Sequence, residues 1–253
     1  MSDHPFDIWL ITKEKRVGRH HLILLTESDG KRSEIMNGLC DLVRSHYIDP
    51  GLMANRMASL GAYKTAQLLR ERLPGTKKSR SGDIGEIMAT EVAEQKLRYQ
   101  VPIRRLRWKD GREMALRGDD LIGVDHDRQK LKLLKGEAKS RAALSTSVLD
   151  QAATALDGDR GLPNSHSVLF VAERLREQGN DLLAEELEEA VLGGFRGVSV
   201  EHLLFVLSGS NPEALLSAHL AGATKKQRML TRHVVGVWIR NHGQFIDLLF
   251  GEL

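Results

Sequence analysis

A glutamate and a lysine, separated by one residue, stand near the end of an apolar run, Leu131-Lys-Leu-Leu-Lys-Gly-Glu-Ala-Lys-Ser-Arg141. Side chains alternate along a strand, so Glu137 and Lys139 share one face while Ala138 points to the other. The sequence therefore predicts a strand that directs an acid and a lysine to the same place.

A second run, Ala115-Leu-Arg-Gly-Asp-Asp-Leu-Ile-Gly-Val124, precedes the first, and the polar link 125–130 between them is short. A link of this length predicts an antiparallel hairpin. With the turn centred near Arg128, Asp120 lies opposite the region of Gly136 and Glu137. Asp119 points to the other face, so at most one of the two aspartates joins Glu137. The register favours Asp120, with a slip of one residue left open.

Two carboxylates and a lysine on adjacent strands fit metal-assisted hydrolysis. The oxygens of Asp120 and Glu137 can bind a hard divalent cation, Mg²⁺ or alternatively Mn²⁺. Such an ion bridges a substrate phosphate and an attacking water, while Lys139 orients the water or offsets charge growing on phosphorus. This chemistry is phosphodiester hydrolysis.

A helix predicted over about 83–97 supplies a further acid. Asp83 is its candidate cap, and Glu86 lies in the first turn, where the helix dipole stabilises a carboxylate. On residue type alone, that stabilisation explains Glu86. Glu91 is the alternative, because it lies on the otherwise apolar face, where a buried carboxylate needs a partner or a metal.

Three segments, in this order, resemble the motif series of PD-(D/E)XK nucleases: Gly82-Asp-Ile-Gly-Glu-Ile-Met-Ala89, Gly118-Asp-Asp-Leu-Ile-Gly123 and Gly136-Glu-Ala-Lys-Ser-Arg141. The resemblance implies a restriction-endonuclease-like α/β core, a mixed β-sheet flanked by helices. It also implies Glu86 as the helix acid, Asp120 and Glu137 as metal ligands, and Lys139 as the catalytic lysine. Many relatives carry a Gln and a later Tyr on the following helix, whereas Gln151 is followed here by Ala155.

The order and spacing are more specifically similar to the HamA family, the nuclease subunits of bacterial Hachiman antiphage systems. This similarity implies a Mg²⁺-dependent DNA endonuclease that acts as an effector in antiphage defence. It also implies a partner, a HamB-like helicase, that supplies ATP-driven sensing of aberrant DNA. The sequence itself has no Gly-x-x-x-x-Gly-Lys-Ser/Thr loop for ATP.

Basic residues surround the proposed site. Residues 64–141 contain 20 Lys and Arg against 12 Asp and Glu, whereas residues 142–213 contain 4 against 12. An enzyme that attracts a polyanion needs such an excess of positive charge around its site. The plainer explanation of the same charges is that they lie on solvated helix faces and in a mobile basic linker over 74–82. The candidate nucleic-acid contacts are Lys77, Lys78, Arg80, Arg141 and Gln151.

The remaining pattern predicts an N-terminal α+β region over 1–75 and a nuclease-like domain over 76–253 with a C-terminal α/β extension. Predicted strands cover 7–11 and 20–26 (a small sheet), 103–108, 166–172 and 202–207, with 232–240 as a strand or a helix turn. Predicted helices cover 33–47, 52–73 with a weak point at Gly61, 145–156, 180–192 and 212–220. Helix 83–97, the three strands from 103 to 141 and helix 145–156 give the α-β-β-β-α order of this nuclease core.

Composition sets the class of protein. The chain has 253 residues, 41% of them hydrophobic, and no run approaches the roughly 20 apolar residues of a membrane span. The single cysteine, Cys40, excludes an internal disulfide and favours the cytoplasm. Two alternatives to the nuclease are a catalytically silent subunit that binds nucleic acid or the helicase, and a surface ion pair of Glu137 and Lys139 on an edge strand.

Overall fold

A computed structural model describes residues 4–114, 116–128, 130–223 and 230–253. Within these ranges six strands form one mixed sheet with helices on both faces. The strands are β1 (Leu10–Val17), β2 (His20–Glu27), β3 (Leu121–Asp127), β4 (Lys130–Arg141), β5 (Ser199–Ser208) and β6 (Arg232–Trp238). The helices are α1 (Pro5–Trp9), α2 (Arg32–Tyr47), α3 (Pro50–Leu60), α4 (Ala62–Arg70), α5 (Lys77–Gln95), α6 (Thr146–Asp157), α7 (Ser165–Glu177), α8 (Asp181–Leu192), α9 (Glu213–Ala223) and α10 (His242–Gly251), with short 3-10 helices at Arg105–Trp108 and Gly158–Gly161.

The strand order across the sheet is β1-β2-β6-β5-β4-β3. Antiparallel hairpins, β1 with β2 and β3 with β4, form the two edges. The central pairs β2 with β6, β6 with β5, and β5 with β4 are parallel. The expectation of a small separate N-terminal sheet is therefore wrong, because β2 pairs directly with β6. Strands from both sides of the predicted boundary at 75/76 belong to this one sheet. The division of the chain into two regions at that boundary stays a prediction.

Helices cover both faces of the sheet, as expected for parallel central strands whose side chains are buried on both sides. The side chains of Leu203, Phe205 and Leu207 on β5 pack in a cluster with α2, α5 and α10. Those of Leu204 and Val206 point to the other face and pack with α6 and α9. On that second face α7 and α8 cover the β3–β4 hairpin. The α/β class with a mixed sheet flanked by helices is thus confirmed.

Three segments predicted as strands are helical. The segment 103–108 contains the 3-10 helix Arg105–Trp108, whereas 166–172 lies in α7 and 7–9 in α1. In each, the buried residues recur every third or fourth position, such as Val168, Val171 and Leu175 in α7. Short apolar runs do not distinguish a strand from a buried helix by composition alone. The predicted α-β-β-β-α order therefore lacks its first strand.

Two boundaries also differ from the prediction. Helix α5 begins at Lys77, because the Thr76 hydroxyl accepts the Ser79 N–H at 3.2 Å and caps the helix. Most of the predicted 74–82 loop is thus helical, and Glu86 lies beyond the first turn. Strand β3 begins only at Leu121. Ala115, where that strand was expected to begin, and Gln129 in the turn lie outside the described residues.

The other predicted elements are confirmed, with end residues shifted by a few positions. They are the helices at 33–47, 145–156, 180–192 and 212–220, the helix break at Gly61, and the strands at 20–26 and 202–207. Of the two alternatives predicted for 232–240, the structure has the strand, at Arg232–Trp238. No helix in the described ranges is both long enough and apolar enough to cross a membrane.

A buried carboxylate ties the N-terminal segment to α5. Glu91 is 3% exposed and accepts hydrogen bonds from His4 at 3.1 Å and His46 at 2.7 Å, with Arg104 at 3.4 Å. Burial alone would raise its pKa, but these partners hold the pKa of Glu91 at about 2. Protein side chains therefore supply the partners that the buried Glu91 carboxylate requires. This network holds α1, α2 and α5 together.

We expect Glu91→Gln to lower the free energy of unfolding at pH 7 by roughly 2–3 kcal/mol, because the ionised form is favoured in the folded state. Its pKa is depressed from the unfolded value, so this stability is present above about pH 4.5 and is lost as the pH falls toward 2. Urea unfolding at pH 7 and pH 3.5 measures the effect, and the gap between native and variant should narrow at the lower pH. Glu94→Gln, which removes a partly exposed partner of the same Arg104, is the control with the smaller expected loss.

Candidate functional site

The pairing of β3 with β4 brings the two predicted metal ligands together. Leu121 is the register partner of Gly136, and the Asp120 N–H donates to the Gly136 carbonyl at 3.2 Å. Asp120 consequently lies opposite Glu137, as the hairpin prediction required. A Cβ on Gly136 would lie 2.4 Å from Leu121 Cγ, so glycine is needed for this close approach. The residue before the acid therefore helps to set the register that places the acid.

Asp120 is fixed at the start of β3 by its own carboxylate. Its Oδ2 accepts the backbone N–H of Ala138 at 2.8 Å. Burial and the neighbouring Glu137 carboxylate raise the pKa of Asp120 to about 7, although that N–H and Lys139 oppose the rise. The site thus holds an aspartate whose negative charge is poorly compensated by the protein, which is the condition that a bound cation would relieve.

Glu137 and Lys139 form an ion pair on one face of β4. Their register partners on β5 are Leu204 and Val206, which pack against α6. Both side chains therefore lie on the α6 side of the sheet, and both are partly exposed, at 13% and 21%. The predicted strand alternation is correct, and the ammonium lies beside the carboxylate that is predicted to bind metal.

Glu86 approaches Asp120 from the opposite side of the sheet. The two residues line one small cavity, together with His46 and Arg105. Burial raises the pKa of Glu86 well above its usual range, and the carboxylates of Asp120 and Asp83 raise it further. Asp120 at the sheet edge is thus the carboxylate that neighbours both Glu86 and Glu137.

The two alternative acids have other partners. Glu91 belongs to the network with His4, His46 and Arg104. Asp119 is turned toward α7, where its Oδ2 accepts the Asn164 N–H at 2.7 Å, and its Oδ1 lies 3.7 Å from the buried Lys135 ammonium. Of the acids that the sequence offered, the structure places Glu86 and Glu137 on either side of Asp120.

Three of the predicted nucleic-acid contacts line a groove at the end of β4. Lys77 and Lys78 at the start of α5, Arg141 at the end of β4 and His242 of α10 are among its lining residues. Lys77 also forms an ion pair with Asp247 at 3.0 Å. The groove lies on the α5 side of the sheet, since Ser140 in its floor accepts or donates a hydrogen bond with Ser81 of α5 at 2.9 Å.

The other two predicted contacts are not in this groove. The Arg80 Nε donates to the Pro74 carbonyl at 3.0 Å, and its guanidinium lies 5.6 Å from the centre of the Phe250 ring. This arginine therefore has a structural role at the end of the loop. Gln151 is exposed on α6, the helix that follows Glu137 and Lys139.

Sequence reasoning missed two cations beside the acids. Arg105 lines the cavity of Glu86 and Asp120, and it lies in the segment wrongly predicted as a strand. Lys109 forms an ion pair with Asp83 at 2.9 Å, and the Tyr47 hydroxyl donates to the same carboxylate at 2.7 Å. Nothing in the spacing of Arg105 or Lys109 indicated these contacts, because both join residues well separated along the chain.

The donor set fits a hard cation with few protein ligands. In the described part of the chain, no three His, Cys, Asp or Glu side chains converge into a ready-made metal centre. Asp120 and Glu137 are two adjacent carboxylates, and Mg²⁺ typically takes one or two carboxylates while water and phosphate fill the other positions. The oxygen chemistry and the uncompensated charge of Asp120 therefore suit Mg²⁺ or Mn²⁺ better than zinc.

Comparisons with known sequences agree on one family. A sequence model of the HamA family matches residues 4–253. A curated relative, the Hachiman protein HamA of Bacillus cereus, is 31% identical over 112 residues, which make up 44% of this chain and 39% of that relative. The aligned part is thus less than half of the relative. Because the family match extends over nearly the whole chain, including every residue of the candidate site, this protein belongs to the HamA family.

Proposed function

We propose that this protein is a metal-dependent DNA endonuclease with a PD-(D/E)XK core, acting as an effector in antiphage defence. The observation that carries the proposal is the β3–β4 register, which sets Asp120 opposite Glu137, with Lys139 paired to Glu137 on the same face. Membership of the HamA family and the name of the curated relative, a Hachiman protein, support the defence role.

In the proposed mechanism, Asp120 and Glu137 hold the divalent ion through their carboxylate oxygens. When bound, Mg²⁺ polarises the scissile phosphate and lowers the pKa of the attacking water. The Lys139 ammonium orients that water or offsets the charge that develops on phosphorus. Glu86, on the other side of Asp120, lines the shared cavity and would close the acidic wall of the site.

The electrostatics favour an active site over a silent remnant. Burial and the Glu137 carboxylate raise the pKa of Asp120 to about 7, so its ionised form destabilises the folded protein without a cation. A purely structural hairpin does not need this arrangement, and an exposed ion pair on an edge would not need Asp120 beside it. The alternative is a catalytically silent subunit that binds nucleic acid or a helicase.

The proposed substrate path follows the basic groove at the end of β4. Lys77, Lys78 and Arg141 line the groove, and a phosphate backbone is the polyanion that matches such a row of cations. The groove and the Glu137–Lys139 pair lie on different faces of β4. A nucleic-acid strand that contacts both would therefore have to pass around the end of β4. The proposed substrate is DNA, as the resemblance to the HamA family implies.

The proposed partner is a HamB-like helicase, and the proposed location is the cytoplasm. A helicase would supply ATP-driven sensing of aberrant DNA and would release the nuclease from restraint. The family membership and the relative's Hachiman name support a role in a defence system, and the helicase partner is what the resemblance of the motif series implies.

The cleavage test uses linear and supercoiled DNA with Mg²⁺, with and without the helicase and ATP. We expect cleavage by the native protein, and a rate lower by on the order of a hundredfold or more in Glu137→Ala/Lys139→Ala. EDTA should abolish cleavage by the native protein. The control Glu188→Ala/Arg176→Ala removes an ion pair between α7 and α8, away from the site, and should leave the rate unchanged. Metal and DNA binding without cleavage in every combination would favour the silent subunit.

The charge at Asp120 makes a second prediction. In EDTA at pH 8.5, Asp120→Asn should raise the melting temperature by a few degrees, because the amide keeps an acceptor for the Ala138 N–H without the repelled charge. The pKa of Asp120 is raised in the folded state, so the gain should be greatest above about pH 7 and should shrink as the pH falls toward 4. Excess Mg²⁺ should raise the melting temperature of the native protein only. Stabilisation of both proteins alike by Mg²⁺ would contradict the proposed site.

The groove makes a third prediction, measured by fluorescence anisotropy of labelled DNA in EDTA. Lys78→Ala and Arg141→Ala should each weaken binding at all sequences and reduce the salt dependence by about one phosphate contact. Arg196→Ala, an exposed arginine in the acidic C-terminal half, is the matched control. An equal loss in Arg196→Ala would show only a general charge effect and would remove the groove from the substrate path.

A further inference from the structure

Arg105 is a buried cation beside the proposed site. Its side chain belongs to the 3-10 helix Arg105–Trp108, is 8% exposed, and lines the cavity that contains Glu86 and Asp120. A buried guanidinium destabilises a protein unless hydrogen bonds and opposite charges compensate it. The neighbours that compensate Arg105 therefore indicate what it does.

The guanidinium binds the backbone that leads into β3. Its Nη1 donates to the Asp119 carbonyl, and its Nη2 donates to the Arg117 carbonyl at 2.7 Å. These carbonyls lie on either side of Gly118, immediately before Asp120. Within the described residues, the buried Nε has no hydrogen-bond partner, so the hydrogen bonds of this side chain are directed at the one segment.

Helix α7 holds the same segment from the other side. The Asp119 N–H donates to the Ser167 hydroxyl at 2.9 Å. Gly118 has φ +93°, and a Cβ there would lie 2.1 Å from the Ser167 oxygen, so only glycine fits between the loop and α7. The segment 117–119 is thus clamped between Arg105 and Ser167.

The charge of Arg105 is compensated by the acids of the site. Its guanidinium lowers the pKa of both Glu86 and Asp120, opposing the effect of burial. Neither hydrogen bond from Arg105 to the backbone requires that charge, because carbonyl oxygens accept hydrogen bonds from neutral donors as well. A clamp and a charge effect consequently make opposite predictions for metal binding. Loss of a nearby positive charge would strengthen the binding of a cation, whereas loss of the clamp would weaken it.

We propose that Arg105 is a positioning residue of the nuclease site, which fixes the backbone of 117–119 so that Asp120 enters β3 with its carboxylate on the Ala138 N–H. The proposal rests on the proposed function, since it assigns Asp120 as the residue to be positioned. It does not place Arg105 on the substrate.

Two variants of Arg105 separate the clamp from the charge. Arg105→Gln removes the charge and the fork of donors, whereas Arg105→Lys retains the charge but cannot bind both carbonyls in the same geometry. Ser167→Ala loosens the segment from the opposite side without touching the charge. Arg107→Gln is the matched control, because Arg107 likewise donates twice to a backbone carbonyl, that of Ser45 at 3.0 and 2.8 Å, away from the site.

Two measurements on the whole chain test the proposal. Amide hydrogen exchange in EDTA reports whether the Ala138 N–H still donates to Asp120, with the Val124 N–H, which donates to Gln100 at 2.7 Å, as the internal reference. Calorimetric titration with Mn²⁺ alone reports the affinity of the site. We expect faster exchange at Ala138 relative to Val124, and about tenfold weaker Mn²⁺ binding, in Arg105→Gln. Arg105→Lys should resemble Arg105→Gln, Ser167→Ala should shift both readouts in the same direction, and Arg107→Gln should shift neither.

Native exchange at Ala138 together with native or tighter Mn²⁺ binding in the folded Arg105 variants would overturn the proposal. Full rescue by Arg105→Lys would do the same, because it would assign the effect to charge. If Arg105→Gln does not fold, exchange at Ala138 and Mn²⁺ affinity are compared between the native protein, Arg105→Lys and Ser167→Ala instead. If the native protein binds no Mn²⁺, the proposed function loses its metal, while exchange at Ala138 still decides whether Arg105 positions Asp120.

Discussion

The antiparallel pairing of β3 with β4 is the constraint on which the candidate site depends. One register places Leu121 across from Gly136 and therefore Asp120 across from Glu137. The absence of a side chain at Gly136 lets Leu121 lie directly against the strand. A slip of one residue would exchange the faces of every side chain in the hairpin and would separate the two carboxylates. The parallel pairing of β4 with β5 then fixes the other edge of β4 to the centre of the sheet.

Charge at this sheet edge is arranged in two different ways. Glu91, an acid that serves the fold, is fully compensated by His4, His46 and Arg104. The pKa of Glu91 is accordingly held at about 2. Glu86 and Asp120 instead have raised pKa values, because burial and neighbouring carboxylates outweigh the cations nearby. Raised carboxylate pKa values of this kind cluster at functional sites, which supports the assignment of Glu86 and Asp120 to the proposed site.

The two faces of β4 have different tasks in the proposed enzyme. The α6 face carries the Glu137–Lys139 pair, and the α5 face carries the groove lined by Lys78 and Ser140. The cavity of Glu86 and Asp120 lies at the edge of the sheet, where the two faces meet. A substrate that contacts both faces would pass around the end of β4. The open edge of the sheet leaves this path accessible. The acidic helix α8 lies on the α6 side, over the hairpin.

The sequence by itself determined the local features of this protein. The period-two pattern predicted the shared face of Glu137 and Lys139, and the short link predicted the hairpin and the meeting of Asp120 with Glu137, because these depend on neighbours along the chain. It did not distinguish strands from helices at 103–108 and 166–172, where short apolar runs are compatible with either. Only the tertiary structure decided that Glu91 has histidine partners, that β2 joins β6, and that Arg105 lies beside Asp120. Those contacts join segments far apart in sequence, and their geometry is set by packing across the whole sheet rather than by any local preference.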